Sequence, residues 1–246
     1  MTTIDQQALL EGCANFRDLG GLPVPGVGAT VAGRLYRSDS LHRLTPADIV
    51  RCADELGIGL AIDLRSDHEL ELVGTAPVVE GMTLAHVPTV DATMQAPMEH
   101  ADATSIVEGY RLMLDQSRAN LARALDTLGS NPAPAVFFCM AGKDRTGLLA
   151  ALALGLAGVE RDAIVDDYAR TTAAMPAIIA RIEAEQPGAA DRWEHLAADV
   201  LSALPRTMAD TLELLDTEHG GIEAYVRGAG LTDAAIDGIR SRLLEP

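Results

Sequence analysis

The sequence predicts an α/β fold: a central, mostly parallel sheet flanked by helices, with a helical C-terminal part. Three observations carry that expectation. Four short segments, "GRLYRS", "GLAIDL", "TLAHVP" and "AVFF", read as strands separated by stretches of helical spacing, an alternation that sets parallel strands beneath covering helices. Beyond Gly158 no strand pattern appears, only successive helical pieces. With 48% apolar residues among 246, the chain can bury a sizeable core.

Taken in order, "GRLYRS" begins the pattern at Gly33. "TPADIVRCADELG" is a helix with Thr45 as N-cap and Pro46 at its first helical position, stopping at Gly57. "GLAIDL" and "TLAHVP" follow as strands. After a loop around residues 91–97, residues 105–128 carry Ile106, Tyr110, Met113, Leu114, Leu121, Leu125 and Leu128 at helical spacing, as one long helix or two. "NPAP" breaks that run and "AVFF" is the next strand. Residues 146–157 are helical and apolar almost all round, hence buried. Helical pieces then end near Thr171, Pro187, Leu204 and Gly220, and Thr232 caps a last helix. No repeat, low-complexity tract or flexible linker interrupts the chain, so residues 1–246 are expected to form a single domain.

A formal charge of −17, from 36 acidic and 19 basic side chains, has the wrong sign for a general nucleic-acid binder or for an anionic membrane surface. The strongest apolar run, residues 148–159, is too short to span a bilayer, and "MTTIDQQALLEGCAN" has neither the basic start nor the apolar core of a signal peptide. The expectation is a soluble, cytoplasmic protein, with export lacking a leader left open. Cys13, Cys52 and Cys139 are too scattered for a disulfide framework or a zinc site, and the six histidines form no HxH or HExxH pair. Reduced thiols, no metal and no cofactor are expected.

The chemistry concentrates in "VFFCMAGKDRTGLLAALAL". Cys139 stands where a strand ends and a helix begins, the place where loop amides and the positive end of the helix dipole converge. Met140, Ala141, Gly142, Lys143 and Asp144 can wrap so that their N–H groups face a common centre, a nest for an anion. Arg145, six residues after the cysteine, adds a planar fork matched to phosphate-type oxygens. Such surroundings activate a thiol as a nucleophile. Neither Cys13, with Leu19 six residues on, nor Cys52, with Ile58, repeats the spacing. The plainer alternative is a buried core cysteine beside a helix start.

"CMAGKDRTG" resembles the signature loop of the cysteine-dependent protein tyrosine phosphatase superfamily, and more narrowly the bacterial protein tyrosine phosphatase B group, also called atypical lipid phosphatases. "NFRDLGG", "GRLYRSDSL", "DLRS", "DDYARTTAAMP" and "GGIEAYVRGAGLT" are similar to further segments of that group. The resemblance implies a phosphotyrosine phosphatase-like fold, with residues 159–205 as a helical lid, and a two-step, metal-independent reaction through a phosphocysteine. It implies that Met140 to Arg145 hold the phosphate and that Thr146 assists breakdown of the intermediate, although a Thr there is often only a cap.

Two carboxylates compete as proton donor. Asp144 occupies a loop position at which the group carries an aspartate, and Asp91 in "HVPTVDA" resembles a mobile acid by placement. Asp144 paired with Arg17 or Arg65, and Asp91 exposed in a loop, are the structural alternatives. Lys143 suits a substrate with more than one phosphate, such as a phosphoinositide, or is a solvated loop lysine. Arg17, Arg37 and Arg65 neighbour Asp18, Asp39 and Asp63 and read as structural ion pairs. Phe16, Phe138, Tyr168 and Met175 are candidate walls for a slot, and Trp193 is an anchor for the lid or tail. Phe138 departs from the superfamily, which has His before its cysteine. That departure keeps open a pseudophosphatase that binds phosphorylated partners without turnover. A sulfurtransferase is the enzyme alternative. The expected partners are a phosphorylated protein or phosphoinositide, and an oxyanion in the loop.

Overall fold

The structure is a computed structural model that describes residues 10–77, 79–90, 103–188 and 201–245. Seven short strands form two sheets among the described residues: β1 Arg17–Asp18, β2 Pro23–Val24, β3 Gly28–Ala29, β4 Leu35–Ser38, β5 Leu60–Asp63, β6 Thr83–His86 and β7 Ala135–Phe138. The main sheet has the order β1-β4-β7-β5-β6. Strands β4, β7, β5 and β6 are parallel, and β1 alone runs antiparallel, on the edge beside β4. The mostly parallel sheet is therefore present, and its central strand is the one that leads into Cys139.

Local chemistry explains the helix starts. Helix Pro46–Val50 carries a capping box between Thr45 and Asp48, and helix Asp67–Val73 a second one between Ser66 and Glu69. The first continues as a wider turn, Arg51–Glu55, before Gly57 adopts φ +58. The long apolar stretch is two helices, Ala103–Gln116 and Arg118–Ser130, divided at Ser117, whose hydroxyl accepts the Val90 amide at 2.8 Å. Helix Asp144–Leu156 is buried on nearly every face.

One expected boundary is absent. No helix ends at Thr171: a single helix runs Arg161–Glu185 with Pro176 inside it. Ile164, Tyr168, Thr171, Met175, Ile178 and Ile182 make one unbroken buried stripe at spacings of three and four, and that packing outweighs the β-branched pair and the proline. Helices Pro205–His219, Ile222–Gly228 and Asp233–Leu244 follow, the last capped by Thr232. Most of the piece expected to end near Leu204, and Trp193 with it, lies outside the described residues; residues 201–204 are not helical, and Leu204 is the N-cap of the next helix.

The core has two faces because strand side chains alternate. Ala135, Phe137 and Cys139 join an apolar cluster that reaches from Leu19 to Leu243, so the C-terminal helices share the core of the sheet. Val136 and Phe138 point to the other face, among Phe16, Tyr36, Leu41 and Cys52. Buried Arg242 ties the tail down by donating to the Leu128 carbonyl at 2.9 Å and to those of Asn131 and Ala133. Among the described residues no helix is long and apolar enough to cross a membrane.

Candidate active site

The site is built where β7 ends between β4 and β5. Strand pairing continues past the strand, with the Leu64 amide on the Phe138 carbonyl at 2.9 Å. Past Cys139, the carbonyls of Met140, Ala141 and Gly142 are all tied outward. That of Met140 accepts the Ser40 amide at 3.1 Å, and that of Ala141 accepts Asn15 Nδ2 at 3.0 Å. That of Gly142 accepts Asn15 Nδ2 at 3.1 Å and the Arg37 guanidinium at 2.7 Å. In a planar trans peptide the N–H points opposite to the C=O, so the amides of Ala141, Gly142 and Lys143 turn to the inner side of the loop. Gly142 makes the turn possible. Its φ is +69, and a Cβ there would stand 2.5 Å from the Ser38 carbonyl oxygen.

Arg145 is held from the segment that follows β5. Both terminal nitrogens reach Glu69, each at 2.6 Å, and Nη1 also lies 3.4 Å from the Leu64 carbonyl. Burial by itself would raise the Glu69 pKa, but the guanidinium and the two Ser66 donors outweigh it and hold the carboxyl below its usual range. The capping box thus turns one helix start into a rigid mount for Arg145. Asp144 pairs with neither Arg17 nor Arg65. Its Oδ1 accepts the Tyr110 hydroxyl at 2.7 Å and lies 3.4 Å from Lys143 Nζ. Lys143 is not solvated: it is 3% exposed, and its ammonium also donates to the Ser202 carbonyl at 3.4 Å. Thr146 is fully buried, and its hydroxyl has no hydrogen-bond partner among the described residues.

Of the three expected neighbour pairs, one forms. Arg65 pairs with Asp63, two residues away on the same face, at 2.6 Å. Arg17 and Arg37 instead converge on Asp167 of the long helix, at 2.7 and 2.6 Å: Asp18 is adjacent to Arg17 and so points to the opposite face, and Asp39 lies past the end of β4. Asp18 serves the amides of Gly20 and Gly33, and Asp39 those of Ala14 and Asn15. Asp167 is pulled to about 2: burial pushes its pKa up, and the two guanidinium groups overcome that.

Cys139 is 2% exposed, and Met140 and Ala141 pack against Met175, Ile178 and Ile182 of the long helix. A cavity of about 410 Å³ lies beside the loop, between the N-terminal segment and that helix, and shares Asn15 with the loop. Neither Cys139 nor Arg145 lines it, so it is not the site. Phe138 faces away from Cys139 across the sheet, with the Arg65 guanidinium 5.5 Å above its ring, and is no wall of a slot. Phe16 stacks on Tyr36 on that face too. Cys139, Met140, Ala141, Gly142, Lys143, Asp144, Arg145 and Thr146 share one strand-to-helix junction, whereas Asp91 lies outside the described residues. Glu69, Asn15, Tyr110 and Asp167 are site residues that sequence reading missed. Only Glu69 carried a local signal, the capping-box pattern in "SDHE".

An open, mostly parallel sheet whose central strand delivers a cysteine into an amide-lined loop closed by arginine defines the class of cysteine-dependent phosphatases. A family model described as the tyrosine phosphatase family matches residues 8–245, and the chain belongs to that family. The triple specificity protein phosphatase PtpB of Mycobacterium tuberculosis is 30% identical, over 96% of this chain and 98% of that protein. A tyrosine-protein phosphatase of Nostoc commune is 29% identical over 87% of this chain and 76% of its own length. A putative tyrosine-protein phosphatase of Cupriavidus necator is 28% identical over 90% and 83%. The protein is a phosphatase.

Proposed function

We propose that Cys139 is the nucleophile of this phosphatase and that residues 140–145 cradle the transferred phosphoryl group. The observation that carries the reading is the outward tethering of three successive loop carbonyls, which leaves the amides facing inward with the Arg145 fork beside them. The thiolate attacks phosphorus, an S–P bond forms, and the bond to the leaving oxygen breaks. Asp91 or Asp144 supplies the proton that this oxygen takes up. Water then attacks the phosphocysteine, releasing inorganic phosphate and restoring the thiolate. The amides and Arg145 hold the equatorial oxygens throughout, binding the transition state more tightly than the ground state.

Thr146 completes the set: a buried hydroxyl lacking a partner is costly, and the thiolate is the acceptor we assign to it. For Lys143 the amide faces the phosphate, while the ammonium stays on Asp144 and the Ser202 carbonyl. The substrate is a phosphorylated tyrosine in protein, with phosphoserine, phosphothreonine and phosphoinositides as further candidates. The triple specificity of the Mycobacterium tuberculosis relative supports that breadth. We read residues 1–246 as one phosphatase domain with 159–205 as its lid. Three free thiols favour a reducing compartment such as the cytoplasm.

The test is hydrolysis of a chromogenic aryl phosphate by the parent and Cys139→Ser, with and without chelator and vanadate. Chelator-insensitive, vanadate-sensitive turnover that disappears in the variant supports the proposal. Oxyanion binding without turnover would indicate a pseudophosphatase, and thiosulfate-to-cyanide transfer a sulfurtransferase. Asp91→Asn and Asp144→Asn, compared on leaving groups of different basicity, separate the two candidate acids: the true donor's variant loses most on the poorest leaving group.

A further inference from the structure

Two buried tyrosines on separate helices end at the signature loop, and neither has a part in the chemistry above. Tyr110, on helix Ala103–Gln116, donates its hydroxyl to Asp144 Oδ1 at 2.7 Å. Tyr168, on helix Arg161–Glu185, has its hydroxyl 2.7 Å from that of Tyr110, with the rings edge to face at 6.3 Å. A phenol has one proton to give. Since Tyr110 gives its proton to Asp144, Tyr168 must be the donor to Tyr110, and the chain runs Tyr168 to Tyr110 to Oδ1. Such a chain polarises each bond in turn, so the last bond is stronger than an isolated one. Burial raises both phenol pKa values, with the Asp144 charge adding to the rise, and keeps both hydroxyls protonated donors near neutrality.

The packing is specific to this arrangement. A Cβ on Gly147, three residues after Asp144, would stand 2.9 Å from Tyr168 Cδ2 and 3.7 Å from Arg37 Nη2. The glycine of "DRTG" thus leaves the space in which the Tyr168 ring lies against the signature helix. The Asp144 carboxylate meets the Tyr110 hydroxyl at 2.7 Å and the Lys143 ammonium at 3.4 Å through Oδ1. Oδ2 is the atom that the proposal below assigns to proton exchange.

We infer that Tyr168 and Tyr110 form a two-phenol relay that positions the Asp144 carboxylate for phosphoryl chemistry, fixing Oδ1 as acceptor and leaving Oδ2 to exchange a proton with substrate or water. The inference rests on the proposed chemistry of the Cys139 loop. Both phenols are positioning residues, because they act through Asp144, and their order in the chain makes their effects unequal and non-additive.

The experiment compares the parent, Cys139→Ser, Tyr110→Phe, Tyr168→Phe and the double phenylalanine variant in aryl phosphate hydrolysis, with vanadate inhibition and thermal melting measured on each. Tyr110→Phe is expected to lower kcat about tenfold, with KM and the vanadate inhibition constant within about twofold of the parent. Tyr168→Phe lowers kcat about threefold in the same pattern, and the double variant is no slower than Tyr110→Phe alone. Multiplicative losses in the double variant would overturn the relay, as would an unchanged kcat or a vanadate affinity that falls in step with kcat. If Tyr110→Phe does not fold, an unchanged kcat in Tyr168→Phe overturns the inference and a threefold loss at constant KM upholds it. A parent whose turnover survives Cys139→Ser defeats the phosphatase assignment itself, and the relay with it, before any tyrosine variant is compared.

Discussion

Glu69 grips Arg145 with two parallel hydrogen bonds of 2.6 Å, carboxylate to guanidinium. Arg145 comes from the signature loop and Glu69 from the first turn of the helix after β5, so the pair fixes the guanidinium relative to the sheet. A bidentate mount sets direction as well as distance. Glu69→Gln keeps the size but leaves an amide that cannot accept two charge-assisted bonds. The expected result is a loss of about 10²-fold in kcat/KM on an aryl phosphate, shared between KM and kcat, because Arg145 contacts phosphate in both ground and transition states. A kcat/KM within threefold of the parent would mean that other contacts suffice to orient Arg145.

Asp167 carries two buried arginines, and its removal takes the carboxylate from both. Asp167→Ala is expected to destabilise the protein by about 3–5 kcal/mol, the usual cost of breaking a buried pair, or about 10 °C in Tm for a chain of this length. The pH dependence has a definite sign. The folded pKa, about 2, lies below the 3.8 of an ordinary aspartate, so the contribution is complete above about pH 4 and is lost as pH falls through about 2. The parent therefore loses stability across that window by a component that Asp167→Asn lacks, visible as a shallower acid limb in the variant's chemical denaturation series.

How much of this was legible follows from sequence distance. Cys139 and Arg145 are six residues apart, and the strand, the glycine and the helix start around them obey local rules, so the loop was readable. The partners were not. Asp167 lies 150 residues from Arg17, and Tyr110 lies 34 from Asp144. The sheet order and the helices packed on it bring those segments together. The missed continuity of the long helix has a similar cause: "TTAAMP" looks like a break locally, and only its buried stripe says otherwise. Phe138 illustrates the reverse case. Its identity suggested a defect at the nucleophile, yet strand alternation puts its ring on the far face, beside the Arg65–Asp63 pair.

Gly142 tests the loop as an anion nest. With φ +69 and a Cβ that would meet the Ser38 carbonyl oxygen at 2.5 Å and Asn15 Nδ2 at 2.7 Å, Gly142→Ala must shift the loop away from its tethers. Vanadate affinity is expected to fall at least tenfold while Tm drops by only a few degrees, because the shift is confined to the loop. Equal vanadate affinity in parent and variant, measured by competitive inhibition, would show that the amides contribute nothing to oxyanion binding.

Thr146 separates stability from turnover. Its hydroxyl is fully buried with no partner among the described residues, and such an orphan costs about 1–3 kcal/mol in the resting protein. Thr146→Val keeps the shape and removes the polar atom, so the variant should melt at the same temperature as the parent or a few degrees above it. Catalysis should move the other way. If the hydroxyl is held in reserve for the thiolate leaving group, formation of the phosphocysteine is little affected, and its breakdown slows about tenfold. Rapid-mixing kinetics on an aryl phosphate would then show a burst of phenolate, one equivalent per Cys139, that the parent lacks. A variant that is both less stable and free of a burst would place the hydroxyl among ordinary packing atoms, since a group that only stabilises the fold gives no reason for the intermediate to accumulate.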